Sequence, residues 1–294
     1  MQFNLARRSF LAVSLFITFS YCWAGDEPLD VIYPNINGLN DGSYGYAVLK
    51  LALDASKVPY RLTLNNKNAN NSRIRQMLSN GQITIADFGT STSFENDFTA
   101  IQVPLDFGVS GWRLLAMHKD NLHLTENIHT VSDLEALVLG QGAGWSDVEI
   151  LNKAGLRVMT APKLDHLFHM LAAKRFEALP LGANEIYALV ESRGDRISSV
   201  RVDSSLLIVY PFARLFFVKN GNTLLHDTIK SGLERAFDDG SLWDLFRNHP
   251  HNAALFEKTA LHQRRVLEIN DDLFKSRIDK IPSKYFKKMI DFEG

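Results

Sequence analysis

The sequence predicts an α/β protein of two lobes joined by two hinge crossovers. Short apolar strands alternate with amphipathic helical segments along most of the chain, the pattern of layered α/β domains. The alternation occurs twice, in a unit ending near residue 88 and a second starting after residue 112. Residues 206–218 (LLIVYPFARLFFV) then form a thirteen-residue apolar run with Arg214 its only charge and Pro211 interrupting it. That run reads as a buried strand, or as a long strand leaving one lobe and re-entering the other with Pro211 at the crossing. The expected domains are 25–111 with 211–257 for lobe 1, 112–210 for lobe 2, and a C-terminal extension over 258–294.

Each element has its own signal. Residues 30–33 (DVIY) form a compact strand ended by Pro34 and an Asn/Gly/Asp-rich loop over 35–42; an apolar helix follows at 44–55. Residues 60–64 alternate as a strand and 65–71 are a polar loop. Ile74, Met77 and Leu78 have the i, i+3, i+4 spacing of a helix face, capped by Gly81, before a strand at 83–88. In the second unit the strands are 112–117, 137–139, 157–160 and 176–181, with helices at 146–154, 164–174 and 184–191. Leu225, Ile229, Leu233 and Phe237 mark an amphipathic helix ending at Gly240.

The N-terminus decides the expected compartment. Arg7 and Arg8 precede an apolar run from Phe10 to Ala24, and Cys22-Trp23-Ala24 places small residues at the −3 and −1 positions of a cleavage site. The run is shorter than the roughly 20 residues of a membrane-spanning helix, so a signal peptide over 1–24 is expected rather than an anchor. RRSFL at 7–11 also fits twin-arginine export, which leaves the route open. Cleavage removes both arginines and the only Cys, taking the formal net charge from −1 to −3 and excluding disulfides, Cys-based metal sites and a thiol nucleophile. The expected product is a periplasmic protein, read as a monomer.

Composition over 294 residues is ordinary for a globular protein: 46% hydrophobic, 22% charged, 18 Gly and 9 Pro exclude collagen-like, disordered and disulfide-rich classes. The near-neutral balance gives no argument for nucleic acid. Neither a GxSxG elbow, an HExxH pair, a Walker loop nor a GxGxxG fingerprint occurs, so no enzyme class, cofactor or metal is indicated. His166 and His169 are three apart on a helix but lack a carboxylate at matching spacing, and His249-Pro250-His251 reads as a loop or helix end.

The candidate contacts are for a bound small molecule. GQGAG at 140–144 follows a strand and opens a helix; the amides from Gly142 to Ser146 form a possible anion cradle and Trp145 a wall, against the plainer reading of a tight turn. Arg113 and Arg214 lie in or beside apolar strands at the two crossings, where a guanidinium needs a partner: a carboxylate of the chain, or a ligand carboxylate or phosphate. Asn184 and Glu185 open a helix after a turn and suit a ligand amine or hydroxyl, with an N-cap role equally open for Asn184. Asp41 and Tyr44 sit where the first loop meets its helix; Tyr44 suits stacking on a ligand or core packing. Residues 258–294 carry nine Lys/Arg against six Asp/Glu, and KYFKK at 284–288 reads as a solvated tail.

Three stretches carry a family resemblance: RQMLSNGQITIADF at 75–88, DLEALVLGQGAGWSDVEIL at 133–151 and LFHMLAAKRFEAL at 167–179. Through them, residues 29–250 resemble the extracellular solute-binding proteins of family 3, of the type 2 periplasmic-binding-protein fold. Pro104-Leu105-Asp106 with Gly111-Trp112-Arg113, Gly140-Gln141-Gly142 with Trp145 and Asp147, and Asn184-Glu185-Ile186 are similar to a subgroup known only as transporter substrate-binding-like. The resemblance implies capture of a small polar or anionic molecule between the lobes and delivery to a membrane transporter, such as an ABC transporter. Alternatives are a periplasmic sensor subunit serving a membrane receptor or kinase, or a lyase-type enzyme on the same fold. Two departures put a standard α-amino acid in question. No Arg occurs in GTSTSFEND at 89–97, where amino-acid receptors of the family hold the α-carboxylate, and LGAN at 181–184 lacks their Asp for the α-ammonium. Arg113 is the candidate to take over the anion.

Overall fold

The computed structural model describes residues 27–36 and 40–292; the expected signal peptide lies outside them. Among the described residues twelve strands run β1 Leu29–Ile36, β2 Tyr60–Ala69, β3 Ile85–Gly89, β4 Phe98–Ala100, β5 Trp112–His118, β6 Val138–Gly142, β7 Arg157–Ala161, β8 Ala178–Gly182, β9 Val200–Val202, β10 Leu206–Val209, β11 Arg214–Lys219 and β12 Arg265–Glu268.

Lobe 1 is built from β1 paired parallel with β2, and from β11 sandwiched antiparallel between β3 and β4. Thr84 ties the two sets together, donating its amide to the Ile32 carbonyl at 3.0 Å while its hydroxyl accepts from the Ile32 amide at 2.8 Å. Pro34 does not end β1; the register shifts between Tyr33 and Asn35, the irregularity where a residue without an N–H is tolerated. The Asn-rich stretch read as a loop after residue 64 continues β2 to Ala69. Helix Tyr44–Ser56 starts where expected because the Ser43 side chain accepts from the Tyr46 amide. Its inward face (Val48, Leu49, Ala52, Leu53) packs against helix Thr223–Asp238 through Leu225, Ile229 and Leu233.

Lobe 2 is one mixed sheet in the order β12-β10-β5-β8-β6-β7, with β9 beside β5. Its chain begins at Trp112 and leaves after Val209, so the apolar run at 206–218 is two strands, one in each lobe, with Tyr210–Ala213 crossing between. The first crossing is held by the buried Asp106 carboxylate, which accepts from the Gly108 and Ser110 amides and the Ser110 hydroxyl.

The extension corrects the reading of a solvated tail. Residues 265–268 add β12 to the lobe 2 sheet, parallel to β10. Leu267, Ile269 and Phe274 join the lobe 2 core with Ile208 and Tyr210. Ile281, Tyr285 and Phe292 then join the larger core, which runs through both lobes; on its lobe 1 side Tyr285 meets Phe237 edge-on and Phe292 meets Trp243 and Phe246, with Trp112 at the first crossing. The extension therefore passes from lobe 1 to lobe 2 and back, adding two crossings to the two hinge segments. Among the described residues no helix is long and apolar enough to cross a membrane.

Candidate functional site

Two buried charged clusters meet the lobe junction, one from each side. On the lobe 2 side, Arg113 projects from β5 to Asp147, the first residue of helix Asp147–Lys153. Its Nη2 lies 2.7 Å from Asp147 Oδ1, its Nε donates to the Tyr210 hydroxyl at 2.7 Å, and Glu185 Oε1 stands 4.0 Å from Nη1. The Tyr210 hydroxyl in turn donates to Asp147. The guanidinium also lies 5.0 Å from the Phe212 ring centroid and 5.5 Å from that of Tyr210. Burial opposes its charge, but Asp147, Tyr210 and Glu185 together hold its pKa above the ordinary arginine value. Burial likewise pushes the Tyr210 phenol well up, Arg113 opposing and Asp147 reinforcing.

Of the two readings the sequence left open for Arg113, the geometry realises the internal pair. A guanidinium that already serves Asp147 and Tyr210 and faces Glu185 offers an incoming anion little unbalanced charge. The glycine-rich segment is corrected in the same sense. Gly140, Gln141 and Gly142 are buried inside β6 rather than in a loop, and Gly142 pairs with Ala161. Of the amides proposed as a cradle, Ala143 N already donates to Ala161 O at 2.9 Å and Trp145 N to Gly142 O at 3.0 Å. The helix end beyond them is met by the chain's own Asp147 and Glu149. Trp145 lies over Gly142, where a Cβ would stand 2.2 Å from the indole, so glycine is needed there for the packing of that ring. Ser146 donates to the Gly89 carbonyl at 3.0 Å, joining lobe 2 to lobe 1.

On the lobe 1 side, Asp87 of β3 is buried, accepts from the Tyr33 hydroxyl on Oδ1 and receives Arg214 Nε on Oδ2 at 2.5 Å. It lies against the first turn of helix Tyr44–Ser56, at Gly45, where a Cβ would come within 2.6 Å of the carboxylate and 2.3 Å of the Tyr33 hydroxyl. The missing side chain is what lets an anion sit at that positive helix end. Tyr44, read as a stacking or core residue, is core: it is 2% exposed, donates to the Leu105 carbonyl at 2.5 Å and packs among Phe246, His249 and His251. Asp41 is exposed in a single helical turn, Asn40–Gly42. Asn184 is buried and donates to Asn252 Oδ1 at 3.0 Å, while Glu185 accepts from the Gly182 amide at 3.3 Å.

The structure thus brings Arg113, Glu185, Ser146 and Asn184 to the junction, with Trp145 and Gly142 beside them. Tyr44 it withdraws into lobe 1, and Asp41 it leaves at the surface. Sequence reasoning missed Asp87, Tyr210 and Arg277, and set His251 aside as part of a loop or helix end. A lone carboxylate in the apolar strand IADFG was the available sign for Asp87; Tyr210 and Arg277 had none. Arg277, from the extension, is buried, donates to the Thr92 hydroxyl of lobe 1 and stands 3.7 Å from Glu149 of lobe 2. Thr92 itself donates to Glu149 at 2.7 Å. A groove of about 630 Å³ is lined by lobe 1 alone, through Ser72, Arg75, Gln76, Ser79, Asn80 and Asp97. Among the described residues no group of three or more His, Cys, Asp or Glu side chains is placed to hold a metal ion.

Two α/β lobes with paired hinge strands and polar residues gathered between them define the periplasmic-binding-protein fold. Solved structures agree with that assignment. An ancestral arginine-binding protein bound to arginine superposes with a TM-score of 0.57 at 15% identity, covering 75% of this chain and 98% of its own. An amino acid ABC transporter substrate-binding protein from Streptococcus pneumoniae, bound to L-arginine, gives 0.56 at 11% identity, covering 75% and 93%. A histidine kinase sensor domain with similarity to periplasmic binding proteins gives 0.57 at 11% identity, covering 76% and 96%. No protein-family model matches the sequence, and no curated protein matches it either. At these identities the likeness establishes the fold.

Proposed function

We propose that this chain is a non-enzymatic, exported binding protein that captures a small polar molecule between its two lobes, most simply for a membrane transporter. The observation that carries the reading is the placement of buried charged clusters on both sides of the lobe junction, Arg113–Asp147–Tyr210 and Tyr33–Asp87–Arg214, where a packed apolar seam would be cheaper. Solved structures of the fold described as binding arginine or serving ABC transporters support it. A second reading, a sensor subunit that passes its liganded state to a membrane receptor or kinase, is favoured by the extension. Because β12 belongs to lobe 2 while Phe292 belongs to the core around Trp112 and Trp243, any change in lobe angle must move it.

A thermal-shift screen of the purified protein against amino acids, carboxylates, phosphates, polyamines, amides and sugars tests binding. A ligand at about 100 times its Kd adds about 2.7 kcal/mol, several degrees of Tm for a chain of this size. A flat response to every class refutes the binding reading.

A further inference from the structure

Helix Thr92–Asp97 of lobe 1 and helix Asp147–Lys153 of lobe 2 meet across the junction by their first turns. Ser146 Oγ donates to the Gly89 carbonyl at 3.0 Å, and Thr92 Oγ1 to Glu149 Oε1 at 2.7 Å. Each helix also brings a carboxylate to this contact, Glu95 from lobe 1 and Glu149 from lobe 2. Burial pushes the Glu95 carboxyl above its ordinary value; Arg277 and Lys280 pull it back, and Glu149 adds to the push. Two like charges facing each other across a hinged junction favour its opening unless a cation stands between them.

That cation comes from the extension. Helix Asp272–Ile278 is anchored on lobe 2 at its start, where Phe274 lies in the lobe 2 core and Asp271, whose side chain caps the helix, stands 3.9 Å from Lys153 Nζ. Just past its end the chain is anchored on lobe 1: Lys280 Nζ stands 3.8 Å from Glu95 Oε2, and Tyr285 meets Phe237 edge-on. Arg277 sits between the two anchors and is buried. Its Nη2 donates to the Thr92 hydroxyl and stands 3.7 Å from Glu149 Oε1, and its guanidinium lies 4.9 Å from the Phe274 ring centroid. One side chain of the extension therefore touches both lobes at the place where their carboxylates oppose each other. The contact can also be released, because Glu149 is 34% exposed and water can replace Arg277 there when the lobes part.

We propose that Arg277 is a latch, a cation carried by the extension that bridges Thr92 of lobe 1 and Glu149 of lobe 2 and holds the lobes together until the extension lets go. The latch goes beyond the binding reading and stands without it, since all its parts belong to the chain itself.

Hydrogen exchange of the purified full chain, read by mass spectrometry on peptide segments, tests the latch with no ligand added. Arg277→Gln should speed exchange in residues 89–97 and 143–149 roughly ten- to hundredfold, the weight of one charge-assisted hydrogen bond, and leave helix Thr223–Asp238 unchanged. Adding Glu149→Gln removes one of the two opposed carboxylates but keeps an acceptor for Thr92, and should return most of the protection. If Arg277→Gln does not fold, Thr92→Val, which deletes the hydroxyl that joins Arg277 to Glu149, should show the same rise. Unchanged exchange in 89–97 and 143–149, or an equal rise in helix Thr223–Asp238, overturns the latch. A rise that the double variant leaves in full overturns it as well, because the charge of Arg277 is then not what holds the lobes.

Discussion

Phe292 offers the sharpest test of how the extension is held. Its ring is 5% exposed and lies between 5.1 and 6.0 Å from the ring centroids of Trp112, Trp243, Phe256 and Phe246. Trp112 is the residue at which the chain enters lobe 2, so this contact fastens the extension to the first hinge. Truncating a buried Phe to Ala costs about 3–5 kcal/mol, and a ring carried by the single short turn Met289–Phe292, free to relax, belongs at the lower limit. At about 2 °C per kcal/mol for a chain of this length, Phe292→Ala should lower Tm by roughly 6 °C. Ile290, two positions earlier, is 64% exposed, and Ile290→Ala should leave Tm within about 1 °C. Differential scanning calorimetry of the two variants beside the parent decides the matter. If they cannot be told apart, the extension is not docked and the two added crossings do not exist in solution.

Two further outcomes follow from the clusters. Asp147→Asn leaves Arg113 buried with only Glu185 at 4.0 Å to balance it, and urea unfolding should show a loss of about 3–5 kcal/mol; a loss under 1 kcal/mol would mean the pair is open to solvent. His251 stays neutral in the folded protein down to about pH 3, whereas in the unfolded chain it protonates below its ordinary 6.5. Its contribution is therefore intact above pH 6.5 and lost as pH falls toward 3, amounting to about 2 kcal/mol at pH 5. Urea unfolding at pH 7 and pH 5 should show a drop smaller by that amount in His251→Phe than in the parent, and equal drops would refute a buried neutral ring.

Elements with local signatures were legible. The helix at 44–56 has an apolar face and a Ser cap; the helix at 223–238 repeats Leu225, Ile229 and Leu233 at helical spacing; Pro211 marks the crossing because a residue without an N–H cannot continue a central strand. GQGAG was misleading because glycine in a loop and glycine beneath a packed indole look identical in sequence. The extension was misread for a related reason. β12 buries only Leu267 of its four residues, and Tyr285 and Phe292 stand in short irregular turns with no period to read.

By itself, then, the sequence determined the layered α/β architecture in two lobes, since this follows from backbone propensity and short-range apolar spacing, while it left residues 206–218 open between one buried strand and a crossing. It also marked Arg113 and Arg214 as guanidiniums in need of a partner. Only the tertiary structure decided who that partner is. Asp87 lies 127 residues from Arg214 and meets it because β3 and β11 are neighbours. The same is true of the aromatic socket of Phe292 and of the sealed nitrogen of His251. Charge balance and burial at a junction are sums over distant segments, and no local pattern contains them.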